Sequence, residues 1–272
     1  MDIKNSILLI DPTFEPSTAN HCSLLIKIGS KSFSYAIINN ETSKVSAIYD
    51  EQECDDFTSK FADRLKTDPY LTLPYQEVKI AHHTQHIITI PDELFSGENV
   101  GVNAQYFPAN HSSNVYVDVQ HYFGFKTIFS LPKTTEELLN FASAKMFHEN
   151  AGLLNQAEQL NAASLILDFT VGNVNVIYLT DNRVIFQQSY EIDDAEELNY
   201  YLLLMINQLK IDRTANIYVC GIIHENDQHY NCLSKYFDTI DFLTVSNDLD
   251  QEVVEDMPTH YYSSLLALSK CV

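Results

Sequence analysis

SLILDFTVGNVNVIYLTDNRVIFQQSYEIDDAEELNYYLLLMINQL, from Ser164 to Leu209, is the stretch on which the reading of this chain turns. Leu165 to Asp168 is a short apolar run of the kind that forms a buried strand. Val174, Val176 and Tyr178 then alternate with polar neighbours, the two-residue period of a half-buried strand. Thr180-Asp181-Asn182 reads as a turn, because Asn and Asp tolerate left-handed geometry. Val184 to Tyr190 returns as a third strand. The expectation is a three-stranded antiparallel meander.

A helix should follow the meander. Asp193 is placed to cap it, with Glu196 three residues on, a capping box with Asp in place of Ser or Thr. Leu198, Leu202, Met205, Ile206 and Leu209 fall on one apolar stripe at helical spacing. Ile217 to Cys220 reads as another buried strand, closed by Gly221. Asp227 to Phe237 suggests a second helix, and Ile240 to Val245 a last strand.

Working outward toward the N-terminus, the same plan recurs from Ser23: SLLIKIGSKSFSYAIINNETSKVSAIYDEQECDDFTSKFADRL. Leu24 to Ile28 is a strand, Phe33, Tyr35 and Ile37 alternate, Asn39-Asn40 turns, and Val45 to Tyr49 returns. Asp55 or Asp56 can cap a helix that carries Phe57, Phe61 and Leu65. Val78 to Ala81 is the next buried strand. The halves superimpose with Lys27 on Asp168, Phe33 on Val174 and Val78 on Ile217. Lys27 to Val78 spans 51 residues and Asp168 to Ile217 spans 49. Matching spacings, in addition to matching elements, predict a structural duplication.

Meander, helix, strand, helix, strand is the plan of a ribonuclease H-like lobe. Two in tandem resemble the actin, sugar kinase and Hsp70 superfamily, with its pilus-assembly and cell-division members PilM and FtsA nearest in size. HYYSSLLALS, His260 to Ser269, resembles the small-residue helix that closes their second lobe. ITIPDELF (Ile88 to Phe95), YFGFKTIFSLP (Tyr122 to Pro132) and the repeat together resemble an uncharacterised bacterial protein family with an actin-like ATPase fold. The resemblance implies an α/β protein of two tandem lobes. The first would cover residues 1–150, with an insertion around 82–132, and the second 151–272. For 96–114 the sequence defines no element.

In active members of that superfamily, a loop after the first strand of each lobe reads Asp, any residue, Gly, any residue, Gly. The aspartate holds Mg²⁺, and the glycines let backbone N–H groups approach phosphate without a side chain in the way. The matching residues here are Lys27-Ile28-Gly29-Ser30-Lys31 and Asp168-Phe169-Thr170-Val171-Gly172. The first loop has lost its aspartate and second glycine. The second has gained two β-branched side chains. The Gly-Gly pair that packs on adenosine is replaced by Gly221-Ile222. Three damaged motifs imply that ATP is not bound in the usual way. Asp168 then reads as a structural strand-end carboxylate. Lys27 and Lys31 read as solvent-facing lysines or as direct anion contacts. Gly29, Ser30, Lys31, Asp168, Thr170, Gly172 and Gly221 are the candidate ligand contacts of the inter-lobe cleft.

Composition bounds the function. The 272 residues carry 16 basic and 37 acidic side chains, a formal charge of -21. Nucleic-acid binding depends on clustered Lys and Arg that displace phosphate counterions, and here the basic residues are scattered. An acidic surface also repels anionic lipid. The five cysteines form no CxxC and suit a reducing compartment. Ile7 to Ile10 is too short for a signal peptide or membrane helix. Cytoplasmic location follows as the expectation, with a protein partner that presents a basic face.

Other constellations are weak. In HHTQH, His82 and His86 would lie about 13 Å apart along a strand, too far for one zinc ion unless a turn intervenes. No serine sits in GxSxG. Cys220 is in an apolar strand, where a thiol is packing material. His148 falls in a predicted helix from Thr134 to Asn150. A two-metal nuclease needs three or four strand-end carboxylates, and only Asp168 and Asp118, in an apparent hairpin, are candidates. The expected function is therefore a non-catalytic binding or scaffolding protein, a pseudo-ATPase that needs neither metal nor cofactor. The competing readings are a kinase or ATPase that uses Asp168 for Mg²⁺, and an assembly subunit.

Overall fold

In the computed structural model, which describes residues 5–272 apart from 55, 98–99, 109–110, 112–113, 142–143, 161 and 246–247, the chain opens with an edge strand, β1 (Ser6–Ile10). The meander β2 (Cys22–Ile28), β3 (Phe33–Asn39) and β4 (Lys44–Glu51) follows, then α1 (Phe57–Thr67) and β5 (Glu77–His82). Asp56 caps α1 by accepting the Ser59 N–H at 3.1 Å; the alternative cap, Asp55, lies outside the described residues. The insertion supplies β6 (Ile87–Pro91), α2 (Val100–Asn103), β7 (Tyr116–Gln120) and β8 (Phe125–Phe129). It folds as its own antiparallel sheet in the order β6-β8-β7.

The helix expected over Thr134 to Asn150 is replaced by two elements, α3 (Lys133–Leu138) and β9 (Ala144–His148), and α4 (Ala151–Ala157) follows them. Leu138, Leu139 and Phe141 mimic a helical stripe. The parallel slot beside β5 wins over that local pattern, and β9 fills it with His82 opposite His148. The first sheet therefore runs β1-β4-β3-β2-β5-β9.

The second half repeats the plan with β10 (Ser164–Thr170), β11 (Asn173–Thr180), β12 (Arg183–Glu191), α5 (Ala195–Leu209), β13 (Asn216–Gly221), α6 (Gln228–Leu233) and β14 (Ile240–Phe242). Its sheet order is β12-β11-β10-β13-β14. Two boundaries move. The cap of α5 is Asp194, one residue later than expected, and its carboxylate accepts the N–H groups of Glu196 and Glu197. The helix after Asp227 and the strand after Ile240 both end earlier than their apolar patterns suggest.

The register of the two halves is the same. Leu24 pairs with Val78 and Leu165 with Ile217, in each case three residues before the superimposed Lys27 and Asp168. Ile28 pairs with Phe33 as Phe169 pairs with Val174. Alternation along each first strand then sorts its side chains to two faces. Leu24, Ile26 and Ile28 face the cluster under α1, and Leu165, Leu167 and Phe169 face the cluster under α5. Leu25 and Lys27, like Ile166 and Asp168, point to the opposite, inner faces.

The covering of those inner faces crosses between the halves. Leu153, Leu154 and Ala157 of α4 pack on Ile166, Ile177 and Cys220 of the second sheet. The last helix, α7 (Ser263–Leu266), continues as a 3₁₀ turn and packs Leu265, Leu266 and Leu268 on Leu25, Ala36 and Ile48 of the first. The stretch expected to close the second lobe therefore covers the first sheet. Buried Lys79, next to Leu25 on β5, donates to the carbonyls of Ser269 at 2.9 Å and Cys271 at 2.5 Å, which satisfies acceptors that the helix end leaves open.

The two crossing helices touch through small residues. A Cβ on Gly152 would lie 2.3 Å from the Ser264 carbonyl oxygen. Gly152→Ala gains about 1 kcal/mol of helix propensity, but forcing a methyl into backbone contact costs roughly 1–3 kcal/mol. Urea unfolding is expected to show net destabilisation, whereas an exposed helical glycine would show a gain.

Candidate functional site

The inner faces of β2 and β10 meet between the lobes, and they meet at the superimposed positions. The Lys27 ammonium forms an ion pair with Asp168 Oδ2 and donates to Ser264 Oγ of α7 at 2.6 Å. The side chains are 8% and 1% exposed, which corrects the expectation that Lys27 faces solvent. Burial, the largest single influence, depresses the ammonium, but the charge and hydrogen bond of Asp168, with nearby Glu149, together outweigh it and hold the pKa above the usual lysine range. The Cys220 thiol donates to Asp168 Oδ1 at 3.5 Å. Burial drives that thiol well above its ordinary pKa, so it is no thiolate nucleophile.

A second buried link runs beside the first. Glu149, just past β9, pairs its Oε1 with His83 Nδ1 at 2.5 Å and accepts the Asn175 side-chain N–H of β11 on Oε2 at 3.0 Å. Burial opposes charge on both members of the His83–Glu149 pair. Each partner's charge overrides it, so His83 is held above the usual histidine range and Glu149 below that of a carboxylate. Ser189 Oγ of β12 lies 2.7 Å from the side-chain oxygens of both Asn173 and Asn175, and its single hydroxyl proton donates to one of them at a time. No sequence motif marks Glu149 or Asn175. The available signal was an Asn inside the apolar strand NVNVIYL, since a buried amide needs partners.

The remaining candidates gather around this junction. Gly29, Asp168, Thr170 and Gly221 line a small inter-lobe cavity of about 40 Å³. Lys31, Thr170 and Gly172 line a wider groove of about 700 Å³ beside it. The Lys31 stem lies over Gly172, with its Cδ 3.3 Å from where a Cβ would stand. The ammonium approaches exposed Asp193 at 3.8 Å. Ser30 Oγ is buried without a partner among the described residues. Gly221, at φ +77°, is required by packing: a Cβ there would lie 2.0 Å from the Phe169 carbonyl oxygen. That oxygen accepts the Ile222 N–H at 2.8 Å.

Mg²⁺-nucleotide does not fit these residues. The strand-end carboxylate that would hold the metal is already neutralised by Lys27, and the cavity at that point is water-sized. The open groove carries Glu53, Asp193 and Asp227 against Lys31, which disfavours a polyphosphate.

The histidine run breaks at the end of β5. His82 is buried with Nδ1 unpartnered, and burial lowers its pKa to about 4. His83 is the Glu149 partner, and His86 packs its ring edge-on to His111, 5.3 Å between centroids. His148, on β9 instead of a helix, meets the Thr84 carbonyl at 3.1 Å. Asp118 is in the expected hairpin, far in sequence from the cleft and buried, with Oδ2 unpartnered. Among the described residues no group of three or more His, Cys, Asp or Glu side chains is arranged to hold a metal ion.

With this geometry in place, comparison identifies the family. The family model described as "Protein of unknown function (DUF3822)" matches residues 11–240. The chain belongs to the DUF3822 family. Among solved structures it is similar to a Bacteroides thetaiotaomicron protein of actin-like ATPase fold and unknown function. The TM-score is 0.77 at 16% identity, over 94% of this chain and 99% of that one. It is also similar to a PilM–PilN type IV pilus biogenesis complex, with a TM-score of 0.61 at 12% identity over 91% and 96% of the chains. The ethanolamine utilization protein EutJ from Carboxydothermus hydrogenoformans gives 0.51 at 9% identity over 97% and 93%. No curated protein matches. These likenesses show the fold: this DUF3822 protein has the actin-like ATPase fold.

Two predictions follow from the buried charges. Lys27→Met leaves Asp168 buried and unpaired and is expected to cost about 3–5 kcal/mol in urea unfolding. Because the positions are equivalent, Lys27→Asp combined with Asp168→Lys should recover part of the loss that either single change causes. Additive losses in that cycle would contradict the pairing. The second concerns Asp118, whose pKa burial raises from 3.8 to about 7. A carboxyl with a raised folded-state pKa contributes stability below its unfolded value, and that contribution is lost as pH rises through the folded value. Asp118→Asn should therefore gain stability relative to wild type between about pH 4 and 7, read as the difference in melting temperature across that range.

Proposed function

We propose that this DUF3822 protein is a non-catalytic member of its fold, a pseudo-ATPase that works by binding a protein partner. The observation that carries the reading is Lys27 on Asp168: a side chain of the protein stands as counter-ion to the carboxylate that would hold Mg²⁺ in an active relative. The acidic groove and the β-branched Thr170 and Val171 support the same reading. So does Gly221, whose conformation is explained by strand packing.

Partner binding draws on the insertion. Leu94 and Tyr106, 75% and 69% exposed, are with Val102 and Tyr122 large apolar side chains left on its surface. Exposed apolar side chains of this size are available to a protein interface, and others, such as Ile185 and Tyr200, lie outside the insertion. A formal charge of -21 favours a partner with a basic face and disfavours nucleic acid. The PilM neighbour was solved with a protein partner, PilN. Five free, buried cysteines suit a cytoplasmic setting. Among the described residues no helix is long and apolar enough to cross a membrane.

The test is a thermal-shift titration with ATP, with and without Mg²⁺. A ligand at 100 times its dissociation constant adds about 2.7 kcal/mol, which is several degrees at about 2–4 °C per kcal/mol. No Mg²⁺-dependent rise at millimolar ATP is expected. A rise that Asp168→Ala abolishes, each protein read against its own ligand-free baseline, would overturn the reading in favour of a kinase or ATPase.

A further inference from the structure

The small cavity at the lobe junction holds more negative charge than the ion pair accounts for. Lys27, Ser34 and Asp50 are lateral neighbours on β2, β3 and β4. All three line the cavity, with Asp168 across from them on β10. Lys27 pairs directly with Asp168, so Asp50 has no ion-pair partner of its own; burial raises its pKa, and the Gln52 hydrogen bond and the charge of Lys27 offset that only in part. Its Oδ2 accepts one neutral hydrogen bond, from Gln52 Nε2 at 2.9 Å, and that amide also donates to the Tyr261 hydroxyl at 2.9 Å. No other ionised group lines the cavity among the described residues.

Tyr262 supplies an independent sign of a missing occupant. It is 5% exposed, it lines the same cavity, and its hydroxyl has no hydrogen-bond partner among the described residues. Its phenol is pushed upward first by burial and next by the charge of Asp50, which lines the same cavity. A buried hydroxyl without a partner is costly, and so is a partly buried carboxylate without a counter-ion. One occupant would relieve both. The surrounding donors are hard oxygens: carboxylates, Ser34 and Ser264 hydroxyls, and the two tyrosines.

We propose that this cavity is a binding site for one alkali-metal cation, held by Asp50 and the hydroxyls of Tyr262 and Ser34. Charge selects that class. Lys27, Asp168 and Asp50 leave one net negative charge when Asp50 is ionised, which a monovalent ion cancels and a divalent ion overshoots beside an ammonium. Mg²⁺ sheds its water shell reluctantly and demands near-octahedral geometry. Hydroxyl and carboxylate oxygens suit Na⁺ or K⁺, and with no thiol free to ligate there is nothing to attract a soft metal. The ion would lie on the first-lobe side of Lys27, so the site goes beyond the pseudo-ATPase reading and does not depend on it.

Thermal unfolding in NaCl, KCl or choline chloride at equal ionic strength tests it. Wild type is expected to melt a few degrees higher in an alkali salt than in choline, with a saturable dependence. Asp50→Asn and Tyr262→Phe, which keep size and shape, should each reduce that increment, and Asp50→Asn should abolish it. Equal melting temperatures in the three salts would overturn the proposal, as would an alkali increment that survives both substitutions. Crystals soaked in RbCl give a second reading. An anomalous peak beside Asp50 is expected, and ordered water there instead would refute the site.

Discussion

A lysine and an aspartate at equivalent points of a duplicated lobe hold this molecule at its centre. Each sits near the end of a first strand, on the face that turns toward the other lobe, so the duplication itself brings them opposite one another. Taking two charges out of water is costly, and the pair repays that only when both partners and their remaining hydrogen-bonding groups are satisfied. Ser264 and Cys220 provide that completion. Sheet register, the crossing of α4 and α7, and the size of the central cavity all have to be compatible with this one contact. The parallel link from Glu149 to Asn175 ties a different pair of strands across the same junction. The two lobes are therefore joined by charge and amide contacts as well as by apolar packing.

The contact also sets the electrostatics of the cleft between the lobes. Here the positive charge is covalently part of the chain. A tethered ammonium has no dissociation equilibrium, so the charge of Asp168 is met within the chain itself. The stretch that would cradle phosphate is instead packed for its own sake, with Lys31 laid over Gly172 and the end of β13 pressed on Phe169.

The sequence carried most of the fold because both halves repeat the same period-two alternation and the same spacing. The superposition of Lys27 on Asp168 came out in register for that reason. What it did not carry was contact between the superimposed residues, which is a property of how two lobes dock and has no local signature. One clue was present: a lysine within the run LLIKI is a charge inside a buried strand, and such a charge requires a partner. The stretch from Thr134 to Asn150 misled for the opposite reason. Its apolar spacing is genuinely helical over Leu138, Leu139 and Phe141, and only the vacant parallel slot beside β5 makes a strand of Ala144–His148. Asp194 displaced Asp193 as cap because either carboxylate satisfies the pattern: Asp194, in extended backbone, accepts the N–H groups of Glu196 and Glu197, and Glu197 accepts the Asp193 N–H in return.

The crossing of the two central helices has a consequence for how the molecule comes into being. One face of the first sheet is covered by residues from about Val245 to Cys271, some two hundred positions after the strands they cover. During synthesis that face, with Leu25, Ala36 and Ile48 on it, stays uncovered while the whole second lobe is made. The first lobe is therefore not a folding unit that can be completed early, and a fragment cut near residue 150 would be left with a bare apolar sheet. Long-range closure of this kind slows folding and prolongs the exposure of sticky surface. A strongly negative chain repels its own copies during that interval.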